Sequence, residues 1–326
     1  MLRPARVGRT GAAMKVCALA GGVGGAKLAS GLQDVLPPGD LSMVVNTADD
    51  FDLWGLHICP DLDTVMYTLA GISNPETGWG IAGESFEALN MVESYGEETW
   101  FKLGDRDLAT HILRTSRMGS GETLTDVTAR LSGALGVKSA VLPMSDDPIS
   151  TVLETPEGRL DFQEYFVRRG HRDEVLGIEW RGIEDARPTQ RVLAAVSRAD
   201  AIVLCPSNPV VSVGPILALP GMMEALVSSN APKVAVSPIV GGRALKGPAD
   251  RMLASLGHEV SATGVARMYA GLVDGMVVDR TDEGERAGIE VLGMRVLVTK
   301  SVMRDAEDRA RLASETLEFG AGLAAR

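Results

Sequence analysis

The stretch 20–27, AGGVGGAK, constrains this chain most. It joins a short apolar run at 14–20 (MKVCALA) to a helix-patterned segment at 26–35, apolar at Ala26, Leu28, Ala29, Leu32 and Val35. Pro37, Pro38 and Gly39 end that segment, and a second apolar run follows at 41–46 (LSMVVN). Strand, glycine turn, helix and strand in so short a span open a parallel sheet with a right-handed crossover. The expected fold is α/β, with a Rossmann-like, doubly wound, mainly parallel sheet. Apolar runs at 201–205, 233–237, 276–279 and 295–298 continue it, and a helix with Pro188 in its first turn covers 188–199.

The middle of the chain reads differently. Helical patterns cover 63–70, 84–95, 105–117 and 123–131, with a strand at 137–142. Segments 151–155 and 159–167 flank Pro156-Glu157-Gly158 as a β-hairpin. The division expected is a nucleotide-binding core from 14–59 and 186–326, with 60–185 as a mostly helical inserted cap carrying the hairpin. Residues 1–13 hold Arg3, Arg6 and Arg9 without an apolar stretch, and read as a disordered extension rather than a signal peptide.

Composition narrows the function. The net charge of −11 argues against a broad basic face for nucleic acid, and 4% aromatic residues argue against a base-stacking platform. Cys17, Cys59 and Cys205 are widely spaced with no CxxC, which points to a reducing cytoplasm rather than a disulfide framework. No apolar run reaches the roughly 18 residues that span a bilayer.

Several segments carry possible chemistry. The glycine loop is neither a Walker A nor a GxGxxG sequence, but glycines before a helix N-terminus suit a phosphate. In Asn46-Thr47-Ala48-Asp49-Asp50 an acid can hold a ribose or a divalent metal, or the segment is a turn. In the stretch from His57 to Asp63, His57, Cys59, Asp61 and Asp63 alternate. Zinc is one reading, but Pro60 interrupts a strand there, and two oxygen ligands suit Mg²⁺ better. For His57 and Cys59, packing or a hydrogen bond is the preferred reading. On a helix from Asp105, Asp107, His111 and Arg114 share a face, with Leu108, Ile112 and Leu113 expected as the buried side. Arg106 offers a planar fork for phosphate or a heterocycle. Loops 206–215 and 237–242 follow strands, where open α/β sheets bind ligands.

These segments in this order resemble the 2-phospho-L-lactate transferase family of coenzyme F-420 biosynthesis. The matching stretches are LAGGVGGAKL, VVNTADD, GLHICPDLDTVMYTLAG, LGDRDLATHI, LPMSDDPIST, PSNPVVSVGPILALPG and SPIVGG, spanning 16–242. The resemblance implies transfer of a phospholactyl-type group (lactyl, enolpyruvyl or glyceryl) from a guanosine-diphosphate-linked donor to the ribityl hydroxyl of the deazaflavin Fo, with GMP released. It implies Mg²⁺ as cofactor and a homodimer. Carried onto this chain, Asp49, Asp61 and Asp63 become catalytic candidates, with Asp49 and Asp61 on the metal. Gly22, Gly24, Gly25, Lys27, Ser207, Asn208 and Ser237 would meet the donor, and Asp61, Asp63 and Arg106 would meet Fo. Two rivals remain: a non-catalytic UDP-sugar-binding regulator of the same fold, and an NAD(P)-dependent oxidoreductase, against which the broken glycine fingerprint counts.

Overall fold

A computed structural model describes residues 14–324; the expected extension at 1–13 lies outside them. The first half of the chain runs β1 (Val16–Ala20), α1 (Gly22–Val35), β2 (Leu41–Val45), β3 (Phe51–Leu53), β4 (Leu56–Ile58), α2 (Pro60–Leu69), α3 (Glu87–Ser94), α4 (Asp105–Gly119) and α5 (Leu124–Ala134). Strands β5 (Ala140–Pro143), β6 (Ser150–Thr155), β7 (Gly158–Asp161) and β8 (Gly177–Arg181) follow. The second half runs α6 (Gln190–Ser197), β9 (Ala201–Leu204), α7 (Val213–Ala218), α8 (Met222–Ser228), β10 (Lys233–Val236), β11 (Ile239–Val240), β12 (Arg243–Ala244), α9 (Ala249–Ser255) and α10 (Ala262–Met268). It ends with β13 (Gly275–Asp279), α11 (Arg286–Glu290), β14 (Arg295–Thr299) and α12 (Ala306–Ala324).

Seven strands form one parallel sheet in the order β14-β13-β10-β9-β1-β2-β5. Such strands are covered on both faces, so they read as continuous apolar runs rather than as alternation. Strand β1 shows the division residue by residue. Cys17 and Leu19 enter one core with Val192, Ile216 and Val265, whereas Val16, Ala18 and Ala20 enter another with Leu28, Leu32 and Leu312. The first core lies under α6, α7 and α10, the second under α1 and α12. The α/β, doubly wound expectation therefore holds.

The segment 60–185 divides in a way its pattern did not announce. Strand β5 extends the central sheet beside β2, pairing Val44 with Leu142. Helix α2 supplies Leu62, Val65 and Leu69 to the same core as α1. The rest of the segment includes the hairpin β6–β7, which β8 widens to three strands. The second hairpin strand stops at Asp161, and a π-helical turn over Glu164–Arg168 replaces the strand expected to reach residue 167. No helix among the described residues is long and apolar enough to cross a membrane.

Candidate active site

Strand order reverses at β1. From β1 the chain builds outward through β2, and later returns to its other side with β9. In open α/β sheets a crevice forms outside the strand C-termini at this switch. Here a cavity of about 500 Å³ opens at that position, lined by Gly21–Gly24, Asp49, Asp61, Pro206–Asn208 and Ser212, among others.

The glycine loop is shaped by its neighbours. Gly22 has φ of +62°, a conformation side-chain-bearing residues rarely adopt. A Cβ on Gly24 would run into the Pro206 carbonyl oxygen, and one on Gly25 into the Ser207 hydroxyl and Ala20. Ser207 accepts from the Gly21 amide at 3.1 Å and donates to the Gly21 carbonyl at 2.8 Å. Ser207 therefore ties the β1 loop to the β9 loop, and the glycines permit that approach. Asn208 and Ser237 line the cavity while stabilising their own turns. Asn208 Oδ1 accepts from the Val210 amide at 2.9 Å, and the Ser237 hydroxyl donates to the Ile239 carbonyl at 2.8 Å.

Two carboxylates meet at the mouth of α1. Asn46 Nδ2 donates to Asp49 Oδ2 and to Asp61 Oδ2, each at 3.0 Å, and the Gly22 amide donates to Asp61 Oδ1 at 2.7 Å. Burial pushes the Asp61 carboxyl up to about 6, although the bonds from Asn46 and Gly22 favour its ionised form. Asp49 is raised well above the usual carboxylate range, by burial first and by the charge of Asp61 second. Asp49 Oδ1 is buried with no hydrogen-bond partner. A polar atom orphaned beside a second carboxylate fits a divalent cation, since hard cations take carboxylate oxygens. Asp49 and Asp61 are therefore the residues able to hold one.

Asp63 lies deeper. Its two oxygens accept from the Arg114 guanidinium, with Nη1 at 3.0 Å, and both residues are buried. The Arg114 charge is held ionised chiefly by Asp63, against the cost of burial. Arg114 Nη1 also donates to His111 Nδ1 at 3.2 Å, which leaves His111 Nε2 facing Asp107 Oδ1 at 3.3 Å. Tyr67 donates to the same Asp107 oxygen at 2.7 Å. On α4 the polar face is thus the buried one: Asp107, His111 and Arg114 point inward, whereas Ile112 and Leu113 are about half exposed. This reverses the orientation that hydrophobicity predicts for that helix. The physical reason is the partner, because α2 presents Asp63 and Tyr67, and charges can be buried only when paired.

Cations stand on one side of the cavity. Lys27 lines it and donates to the Met303 carbonyl at 3.1 Å; burial and the nearby Lys246 and Arg309 lower its pKa. Lys246 also lines it, and donates to the Thr77 carbonyl at 2.8 Å. Arg106 does not join them: it is exposed, turns to the Ala82 carbonyl at 2.8 Å and is absent from the lining. The sequence offered little signal for Asn46, Tyr67 or Lys246 as site residues. Asn46 stood within a singled-out segment, but its bridging of two carboxylates depends on the β2 loop meeting α2.

Comparison with known proteins identifies the family. The family model described as 2-phospho-L-lactate transferase CofD matches residues 16–309. The chain is 44% identical over 312 residues to a phosphoenolpyruvate transferase of Streptomyces griseus, covering 94% of this chain and 98% of the relative. It is 40% identical over 293 residues to a 2-phospho-L-lactate transferase of Methanosarcina mazei, covering 90% and 96%. Among solved structures, a UPF0052-family protein of Bacillus halodurans superposes with a TM-score of 0.65 at 18% identity, covering 93% and 98%, a likeness of fold.

Proposed function

Because the chain belongs to the 2-phospho-L-lactate transferase family, we propose that it moves a phospholactyl-type group from a guanosine-diphosphate-linked donor to the ribityl hydroxyl of Fo. The observation that carries this reading is the Asp49–Asp61 pair at the α1 N-terminus, joined by Asn46 inside the switch-point cavity. The hydroxyl oxygen attacks the β-phosphorus of the donor, the bond from that phosphorus to the GMP oxygen breaks, and the hydroxyl proton passes to a carboxylate. The base is one of Asp49, Asp61 and Asp63, through an oxygen left free of the metal.

Phosphoryl chemistry of this kind depends on position and charge neutralisation more than on covalent help. Lys27 and Lys246 would face the diphosphate, together with the amides of the glycine loop. Asp49 and Asp61 would hold Mg²⁺, which when bound supplies charge neutralisation at the phosphates. Asp63, fixed by Arg114, would position Fo. A three-carbon acid with an enol, hydroxyl or methyl end is the variable part of the donor.

The test is a mass-spectrometric assay with Fo, Mg²⁺ and the lactyl, enolpyruvyl and glyceryl donors. GMP and a phosphodiester adduct of Fo appearing together, and only with metal, is the expected outcome. Intact donors with no Fo binding would overturn it and direct the same cavity to UDP-sugars.

A further inference from the structure

A second group of ligand-type side chains lies outside the cavity, on the β3–β4 hairpin and the start of α2. Asp50 directly precedes β3, His57 is central in β4, and Cys59 directly precedes α2, with no capping bond from its side chain. None of the three lines the cavity. One ligand atom of each lies within 4.8 Å of the others, and His57 Nε2 stands 3.8 Å from Asp50 Oδ2. We propose that Asp50, His57 and Cys59 form a binding site for a transition-metal cation of the Zn²⁺ class, separate from the Mg²⁺ assigned to Asp49 and Asp61.

Three observations carry it. The first is the Asp50 carboxylate: its side chain is 6% exposed, and the groups it faces are the Cys59 thiol and the His57 ring, with no well-aligned hydrogen bond to either oxygen. Buried polar atoms are normally well paired, so a carboxylate turned to a thiol and an imidazole suits a cation between the three. The second is the histidine. His57 Nδ1 lies 2.9 Å from Asp52 Oδ1. A carboxylate on one ring nitrogen fixes the tautomer and aims the other nitrogen at a metal, an arrangement metal-ligating histidines almost always have. Here the free nitrogen is the one facing Asp50.

The third is the donor set. Thiolate, imidazole and carboxylate together select zinc-like cations over Mg²⁺. Zinc holds these atoms at about 2.0–2.3 Å, which places tetrahedral ligands roughly 3.3–3.6 Å apart. The His57–Asp50 separation of 3.8 Å is close to that spacing, and the 4.8 Å limit on the other pairs leaves a contraction of at most about 1.5 Å. Arg114 is nearby, but its charge is matched by Asp63. His57 has a 27% exposed side chain, leaving a solvent path for entry and for a water as fourth ligand. Binding would displace the Cys59 proton and join the hairpin to the helix that carries Asp61 and Asp63. The sequence alone favoured packing for His57 and Cys59, because neither Asp50 nor the Asp52 bond is visible from their spacing.

The experiment uses the full chain, stripped of metal and titrated with Co²⁺. A thiolate-to-cobalt charge-transfer band in the near ultraviolet is expected at one equivalent, displaced by Zn²⁺ and not by excess Mg²⁺. Cys59→Ser should abolish the band, and Asp52→Asn should weaken apparent affinity about 10–100-fold while keeping it. Absence of the band, its survival in Cys59→Ser, or its displacement by Mg²⁺ would overturn the site. If Cys59→Ser fails to fold, His57→Gln on the exposed side decides: affinity unchanged there would also overturn it. The readout requires no turnover, so it stands or falls apart from the transferase reading.

Discussion

The backbone amide of Gly22 donates to Oδ1 of Asp61 at 2.7 Å. The first amide of α1 thus meets a protein carboxylate brought by α2, and the positive helix end stabilises that charge. The arrangement places an anion where the helix end would otherwise attract one.

The pH dependence of metal binding follows. Asp61 is raised from 3.8 to about 6 and Asp49 is raised as well. Folding therefore favours their protonated forms: the contribution to stability is present below about 4 and is lost as pH rises through 6. Metal binding runs the other way, because it requires the ionised pair. Thermal unfolding with and without Mg²⁺ should show a stabilisation that grows as pH passes through about 6. Asp61→Asn should flatten that growth and lower turnover about 10²-fold or more; retention of both would remove Asp61 from the scheme.

Gly24→Ala should destabilise the protein by about 1–3 kcal/mol, since the new methyl meets the Pro206 carbonyl rather than a flexible side chain. Urea unfolding measures the loss. Donor affinity should fall in the same variant, because relieving the clash separates the β1 and β9 loops. A wild-type midpoint would show that the loops yield.

Arg114→Met leaves the Asp63 carboxylate buried without its cation. Breaking such a pair costs about 3–5 kcal/mol. The double variant Arg114→Met with Asp63→Asn should recover part of this, and a denaturant series on the four proteins gives the coupling. Independent, additive effects would show that the pair contributes nothing as a unit.

Arg106→Ala should leave the KM for Fo within about twofold and stability within about 0.5 kcal/mol, as for an ordinary surface change. The side chain turns to the Ala82 carbonyl, outside the cavity. A tenfold rise in KM would show that the loop reorganises around substrate.

The sheet was legible because parallel strands covered on both faces leave continuous apolar runs, as in 201–205 and 233–237. The carboxylates Asp49, Asp61 and Asp63 were legible as candidates through the family resemblance, whereas their own segments left Asp49 open between a ligand and a turn. Their division of labour was not. That Asp63 is committed to Arg114, and that Asn46 bridges the other two, depends on contacts between residues 51 and 15 positions apart. The burial of the charged face of α4 was hidden for the same reason: hydrophobic patterning assumes an apolar partner, and α2 presents a polar one. Strand β5 was read as a strand, but its place beside β2 is a property of the crossover and not of its own residues.

The pairing of Val16 with Ala201 and of Leu19 with Leu204 has a consequence during synthesis. The glycine loop is made early, yet the wall that shapes it arrives about 180 residues later. Until β9 emerges from the ribosome, the apolar flank of β1 remains an open edge, able to pair with another chain. Long-range parallel pairing is slow and aggregation-exposed. The nascent chain therefore has the most to gain from chaperone protection between the appearance of residue 45 and that of residue 204.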